Sequence, residues 1–423
     1  MWKDIKAILK EKIEQAVGKA LMENQGIYMV ISGVYPVNIY YSLTAILCQL
    51  FTLSFFMYTC IYFYYNEYNL SMFSEAAHFV VVVFCSTSFY IIFWFRKDKV
   101  HNITKLLEQE IFKYKGTLDL ETRSEIDEMT LKMKNRKNKI SNIMTIVYII
   151  CGLFGVILLP IIFKKSAITV KEERILLTVP VATYYPVRGD FGWYLCSAQQ
   201  YLTTFFIISA LNGSDVAFSC YCEEGCNQLR ILCHAIRHSL RRARYLHTHI
   251  FGKEPLTLRD ETFAICLKMC LDESVMHHYR VIRYFKEIQS LFSWCIMIVM
   301  MAGASMLCLC GIYFFFDVVG FGTKISFAFY LSGELMHTFI YAWYGQQISE
   351  MSAEIREVLY EIDWEDCSKT VKPYILIMQA YTNNPIKLKG GDFMEYNLNT
   401  FGNVCSTAYS YFNLMSAAVP SSS

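Results

Sequence analysis

Apolar residues collect into charge-free runs at 24–66, 76–95, 140–163, 191–214, 288–316, 335–349 and 396–423. A helix needs about 18–20 such residues to cross a bilayer, and most of the runs exceed that. The sixth is shorter, but it extends backwards through Ile325–Gly333 with Glu334 as its one interruption. The pattern predicts an all-α membrane protein with seven transmembrane helices, near 40–64, 71–95, 141–163, 194–216, 290–316, 325–347 and 396–416.

The last run differs from the others because it carries a polar seam. Asn399, Asn403, Ser406, Ser410, Asn413 and then small Ala417 recur at gaps of four and three, which keeps them on one narrow helical face. Phe401, Val404, Cys405, Ala408, Tyr411, Phe412 and Met415 fill the rest of the turn. Such a helix suits the wall of a water-filled pore built from several subunits. The same seam also serves as glue between packed helices, and this segment alone leaves both readings open.

Helical periodicity continues between the spans. Leu229, Ile231, Leu232, Ile236 and Leu240 stripe the stretch 215–246, and Phe263, Leu267, Cys270, Leu271, Val275 and Ile282 stripe 261–285. The sixth span runs on through Ile348, Met351, Ile355, Leu359 and Ile362. Tyr374–Ala380 forms a further piece, closed by Asn383, Asn384 and Pro385 and followed by a Gly390-Gly391 turn. Apolar stripes beyond the membrane must be buried, so we expect a packed layer of span extensions able to hold subunits together. The chain then divides into an interfacial segment 1–39, six spans with loops 96–140 and 222–286 over 40–347, anchor helices 348–395, a pore helix 396–416 and a short tail 417–423.

Composition agrees with membrane insertion: 54% of residues are hydrophobic, 16% aromatic and only 18% charged. Cations set the orientation. The segments 1–36, 96–140, 222–286 and 350–395 hold all Lys and Arg except Lys164, Lys165, Lys171, Arg174, Arg188 and Lys324. Positive loops stay inside, which puts the N-terminus in the cytosol and the C-terminus outside, the reverse of a G-protein-coupled receptor. A net charge of +2 implies no nucleic-acid partner. Met1–Lys19 is charged and loosely amphipathic, so it reads as an interfacial helix and not as a cleavable signal. Asn69-Leu70-Ser71 is a glycosylation sequon in a short outer loop, expected to lie too near the membrane for modification.

Enzyme chemistry is missing from the sequence. It has no phosphate loop, HExxH, nucleophile elbow or dinucleotide glycine pattern. Cys220, Cys222 and Cys226 with His234 fit no standard zinc spacing, and buried or palmitoylated thiols account for them better. His234 and His238 lie one turn apart among Arg237, Arg241 and Arg242, as on a solvated basic face. We therefore expect no metal and no cofactor. Glu334 and His337, one turn apart inside the sixth span, form either a functional intramembrane pair or a local contact that satisfies both groups.

The carboxy-terminal third resembles the insect odorant receptors. The resemblance is carried by Tyr344-Gly345-Gln346-Gln347-Ile348-Ser349-Glu350-Met351-Ser352, followed by Tyr360 and Trp364. Pro385-Ile386, Gly390-Gly391 and Phe393 continue it, and Thr407-Ala408-Tyr409-Ser410-Tyr411-Phe412 matches the family's terminal signature. His277 or His278 with Ile282 fits a weaker pattern. Two departures separate the chain from the shared coreceptor. Asn413-Leu414-Met415 stands where that subunit has a Gln-containing motif, and the long second inner insert is missing. The chain thus resembles a variable, odour-tuning subunit.

The resemblance implies an odour-gated, non-selective cation channel in the plasma membrane of sensory neurons, in contact with lipid on its outer faces. Its subunits would form a hetero-tetramer with coreceptor subunits, the four last spans ringing one pore. A small volatile ligand would bind in the outer half of spans two, three, four and six, against Phe73, His78, Phe79, Cys151, Phe154, Leu158, Gln199, Tyr201, Thr203, Phe327 and Tyr330. Leu414 would adjoin the hydrophobic gate, and Leu359, Ile375 and Met378 would anchor neighbouring subunits. Two readings compete: a seven-span receptor that signals through a cytosolic partner without conducting, and a carrier, which lacks support from internal repeats.

Overall fold

An apolar run in a bilayer has no water to satisfy its backbone, so it closes its own hydrogen bonds as a helix. The computed structural model describes residues 26–35, 39–66, 70–158, 175–176, 181, 183–184, 189–312, 321–362, 366–367, 369 and 371–418. The helices are α1 (Gly26–Ile31), α2 (Ile39–Asn66), α3 (Leu70–Phe95), α4 (Lys97–Glu108), α5 (Leu120–Ile150), α6 (Gly189–Arg237), α7 (Ser239–Phe251), α8 (Glu261–Ile312), α9 (Phe321–Glu361), α10 (Lys372–Tyr381) and α11 (Leu398–Ala418). α5 passes into a π-helical turn over Cys151–Leu158. Short antiparallel pairs join Ile175–Leu176 to Thr183–Tyr184 (β1, β2) and Lys389–Gly390 to Met394–Glu395 (β3, β4).

Among the described residues, five helical stretches are long and apolar enough to cross a membrane: Tyr40–Tyr62, Phe73–Phe95, Leu120–Gly155, Tyr194–Arg237 and Glu261–Gly311. Of the remaining two expected spans, 325–347 is helical within α9, and 396–416 is helical from Leu398 onwards in α11. The third to sixth spans are only parts of longer helices, because their extensions beyond the apolar runs keep the helical stripe without a breaker. One break does appear, at His238, which separates α6 from α7. At the start of α5, the Asp119 carboxylate accepts from the Thr122 amide at 2.8 Å. Burial raises the Asp119 pKa, but the Thr122 bonds and Arg241 outweigh it and hold the carboxyl below its ordinary value.

Aromatic side chains dominate the centre. Phe218 stacks on Tyr341 with centroids 4.2 Å apart, and Phe292 packs edge-on to Phe93 and Phe218. This core spans α3, α6, α8 and α9 and continues without interruption into the extended ends of these helices, through Leu229, Leu232, Tyr284, Ile355 and Leu359. A second cluster, Leu246, Phe263, Leu267, Cys270, Leu271 and Ile375 among its members, lies among α7, α8 and α10. Met1–Lys19, Asn69 and Val419–Ser423 lie outside the described residues, as do the side chains of Leu158, Met415 and Ala417.

Candidate functional site

A cavity of about 90 Å³ sits among α3, α5, α6 and α9. Helical spacing decides which side chains reach it. His78, Phe79 and Val82 come from α3, Tyr148 from α5 with Cys151 and Gly152 from the π-helical turn that follows it, Thr204, Ile207, Ile208 and Leu211 from α6, and Tyr330, Gly333, Glu334 and His337 from α9. The last two sets follow the i, i+3, i+4, i+7 rule of a single helical face.

Of the residues anticipated from sequence, His78, Phe79, Cys151 and Tyr330 line this cavity, while Phe73, Phe154, Gln199, Tyr201, Thr203 and Phe327 do not. Phe327 stands one layer behind, edge-on to Tyr330 at 5.2 Å. Phe154 stacks outside on Phe329. Gln199 and Thr203 face α2, where Thr52 bonds to the Thr203 hydroxyl at 2.8 Å and accepts from the Gln199 amide. The cavity face of α6 is thus turned by about one residue, roughly 100°, from the anticipated one.

The floor of the cavity is polar. His337 Nδ1 lies 2.7 Å from Asp215 Oδ2. The Tyr148 hydroxyl donates to the same oxygen, and the Tyr341 hydroxyl donates to Asp215 Oδ1 at 3.1 Å. The local Glu334–His337 contact is therefore corrected: the imidazole pairs with a carboxylate 122 residues away in sequence. Asp215 ends the fourth charge-free run, and a charge at a span end gives no sign that it turns inward.

The last helix packs through one side. Phe412 and Ala408 are buried with Leu307 and Cys308 of α8, and Val404 and Cys405 support them. Asn399, Asn403, Ser406, Ser410, Asn413 and Leu414 are exposed in the single chain. Leu414 is 67% exposed, and Tyr409 and Tyr411 flank the seam. The helix is positioned from its start by the β3–β4 hairpin, which is tied to α8 through Gln289.

The expected anchor layer is arranged differently. Leu359, Ile375 and Met378 are already buried within their own chain, because the extensions of α7 and α8 and the central core cover them. The outward apolar face of α10 consists of Leu376, Ile377 and Tyr381.

His234 and His238 gain an unforeseen neighbour, since Glu125 of α5 brings a carboxylate oxygen within 4.8 Å of both. Arg241 Nη2 donates to Glu125 Oε2 at 2.8 Å, so that oxygen is occupied by a fixed cation. Burial first, then His234 and Arg241, hold His238 below its ordinary pKa. Cys220, Cys222 and Cys226 are buried free thiols.

Fold and composition define a multi-pass, predominantly helical membrane protein. The family described as 7tm odorant receptor matches residues 69–409, and the chain belongs to this insect odorant-receptor family, whose members are receptors and not enzymes. It is 21% identical to Odorant receptor 85f of Drosophila melanogaster over 30% of this chain and 33% of that one. It is 23% identical to Odorant receptor Or2 of Anopheles gambiae over 34% of this chain and 38% of that one, so these two alignments span about a third of each relative's length. The insect olfactory receptor OR5 from Machilis hrabei, solved in complex with eugenol, has the same fold. Its TM-score is 0.73 at 16% identity, covering 93% of this chain and 97% of that one.

Proposed function

We propose that the chain is an odour-tuning subunit of a non-selective cation channel in the plasma membrane of sensory neurons, with its N-terminus cytosolic. It assembles with coreceptor subunits as a hetero-tetramer, binds a small volatile ligand in the cavity beneath Tyr330, and lines part of the pore with α11. The placement of α11 carries this reading. Its apolar side is buried on α8, while the seam from Asn399 to Asn413 is left outside the subunit. A polar stripe on a membrane helix needs a watery or polar neighbour, and symmetry-related copies around a lumen supply one. The seam holds no fixed charge, so it offers no ring for sharp ion selection.

The deciding experiment is inside-out patch recording from cells expressing the chain with coreceptor, with odorant present and no nucleotide. Current that persists supports the channel. A response that requires GTP overturns it in favour of a receptor acting through a cytosolic partner.

A further inference from the structure

One carboxyl group lines the cavity and a second lies behind its wall, bonded to the lining residues Tyr148 and His337, and the two are in very different states. Asp215 is fully enclosed and both its oxygens are engaged, by Tyr148 and His337 on one and Tyr341 on the other. Glu334 lines the same cavity one turn away from His337 and is only 7% exposed. Its Oε2 is buried with no hydrogen-bond partner among the described residues. The other polar side chains of the lining turn towards protein. His78 Nδ1 meets Cys310 Sγ at 3.5 Å, Tyr330 donates to the Gly155 carbonyl at 2.8 Å, and Thr204 donates to the Gln200 carbonyl at 2.9 Å. A carboxyl oxygen left unpaired in apolar surroundings is costly, and such a group in a native fold calls for a partner.

We propose that Glu334 is the recognition group of this cavity and that the ligand class is a small aliphatic amine. The proposal rests on reading the cavity as the odorant site and names the chemistry it selects. An ammonium pairs directly with the carboxylate. A free amine reaches the same state by taking the carboxyl proton, so one O–H bond breaks, one N–H bond forms and the pair stays neutral overall. An alcohol offers only a neutral hydrogen bond, which is weaker than a charge-assisted one. A carboxylic acid would bring a like charge towards Asp215 and Glu334. The apolar body of the amine lies against Phe79, Val82, Ile207, Leu211 and Tyr330. Size narrows the class further, because the cavity of about 90 Å³ is smaller than the roughly 150 Å³ that houses benzene.

The test uses the full chain in lipid nanodiscs, titrated calorimetrically with isobutylamine, isobutanol and isopentane, three molecules of one shape. The amine should bind at least about tenfold tighter than the alcohol, and the alkane weakest. Glu334→Gln should weaken the amine by about tenfold and the alcohol by less than about threefold, and Glu334→Asp should keep the amine preference. On the wild-type chain alone, the infrared difference spectrum with isobutylamine should show the bands of a carboxyl group changing state. Isobutanol or isopentane binding as tightly as isobutylamine overturns the amine assignment while leaving the cavity as the odorant site. If none of the three binds and Tyr330→Ala leaves odorant responses unchanged, the cavity reading falls and the proposal falls with it.

Discussion

The Gln289 side chain pairs with the backbone of Lys389 in both directions: its Nε2 donates to the Lys389 carbonyl at 2.6 Å, and the Lys389 amide donates to its Oε1 at 2.9 Å. A side-chain amide thus imitates a strand neighbour and fastens the hairpin that feeds α11 to the body of α8. The same Nε2 and the Ser293 hydroxyl bond to Asp392 Oδ1 at 3.0 and 2.9 Å. Gly390 completes the contact, since a Cβ there would stand 3.1 Å from the Met297 backbone.

Gln289→Leu should therefore loosen the entry to the last helix. It leaves a backbone donor and acceptor unpaired, at a cost of about 1–3 kcal/mol, seen as a lower thermal midpoint of the purified chain. The bonds from Gln289 and Ser293 also hold the Asp392 carboxyl below its ordinary value. A depressed carboxyl contributes stability above the unfolded pKa of about 4 and loses it as pH falls through the folded value. The gap between wild type and variant should therefore narrow below about pH 4. A gap unchanged in strong acid would remove Asp392 from the account.

Gly345 should be intolerant of any side chain. A Cβ there would collide with the Tyr396 carbonyl, which belongs to the backbone and cannot swing away. Gly345→Ala should shift the start of α11 and abolish odorant-evoked current, while a Ser349→Ala control in the same helix stays active. Normal current from Gly345→Ala at normal surface expression would show that α9 and the hairpin are not in rigid contact.

Ligand potency should follow the cavity face of α6 and not the face turned to α2. Ile208→Ala removes cavity wall, so the half-maximal odorant concentration should shift by about tenfold, in line with roughly 1–3 kcal/mol per missing apolar group. Tyr201→Ala should shift it by less than about threefold. Dose–response curves with coreceptor co-expressed give both numbers, and the reverse order would return the site to the anticipated face.

The helices were legible because a bilayer leaves an apolar run few alternatives, and the polar seam of α11 was legible because five small polar residues break a uniform background. Faces within uniformly apolar helices were not. Span four reads Tyr201-Leu-Thr-Thr-Phe-Phe-Ile-Ile with no clear stripe, so only packing against α2 fixes its rotation. The Asp215–His337 pair joins helices far apart in sequence, and no local period encodes it. The stretch 375–378 is Ile-Leu-Ile-Met, four apolar residues in succession, and only the covering helices decide which of them point inwards.

The seam of α11 should be accessible to a water-soluble thiol reagent in the open channel. Cysteine at Asn403, Ser406, Ser410 or Asn413 should give block, and cysteine at Phe412 should not, because Phe412 packs on α8. Leu414→Ala should raise resting current modestly, as one of the bulky side chains removed from a dewetted constriction. Equal block at Phe412 and Ser410 would place the lumen on the wrong side of the helix.

Assembly separates two neighbouring residues of α10. Ile375 is fully buried in the chain's own second apolar cluster, whereas Ile377 is 61% exposed beside Leu376 and Tyr381. Ile375→Asp puts a carboxylate into a closed apolar cluster and should unfold the layer itself, so the chain is degraded before any assembly. Ile377→Asp should leave a chain that folds and inserts, since insertion follows span hydropathy and the Lys/Arg bias. If the α10 face contacts a neighbouring subunit, that variant runs as a monomer on a native gel and fails to co-purify with coreceptor. Intact hetero-tetramers carrying Ile377→Asp would mean that this face meets lipid or solvent, and that assembly relies on other surfaces.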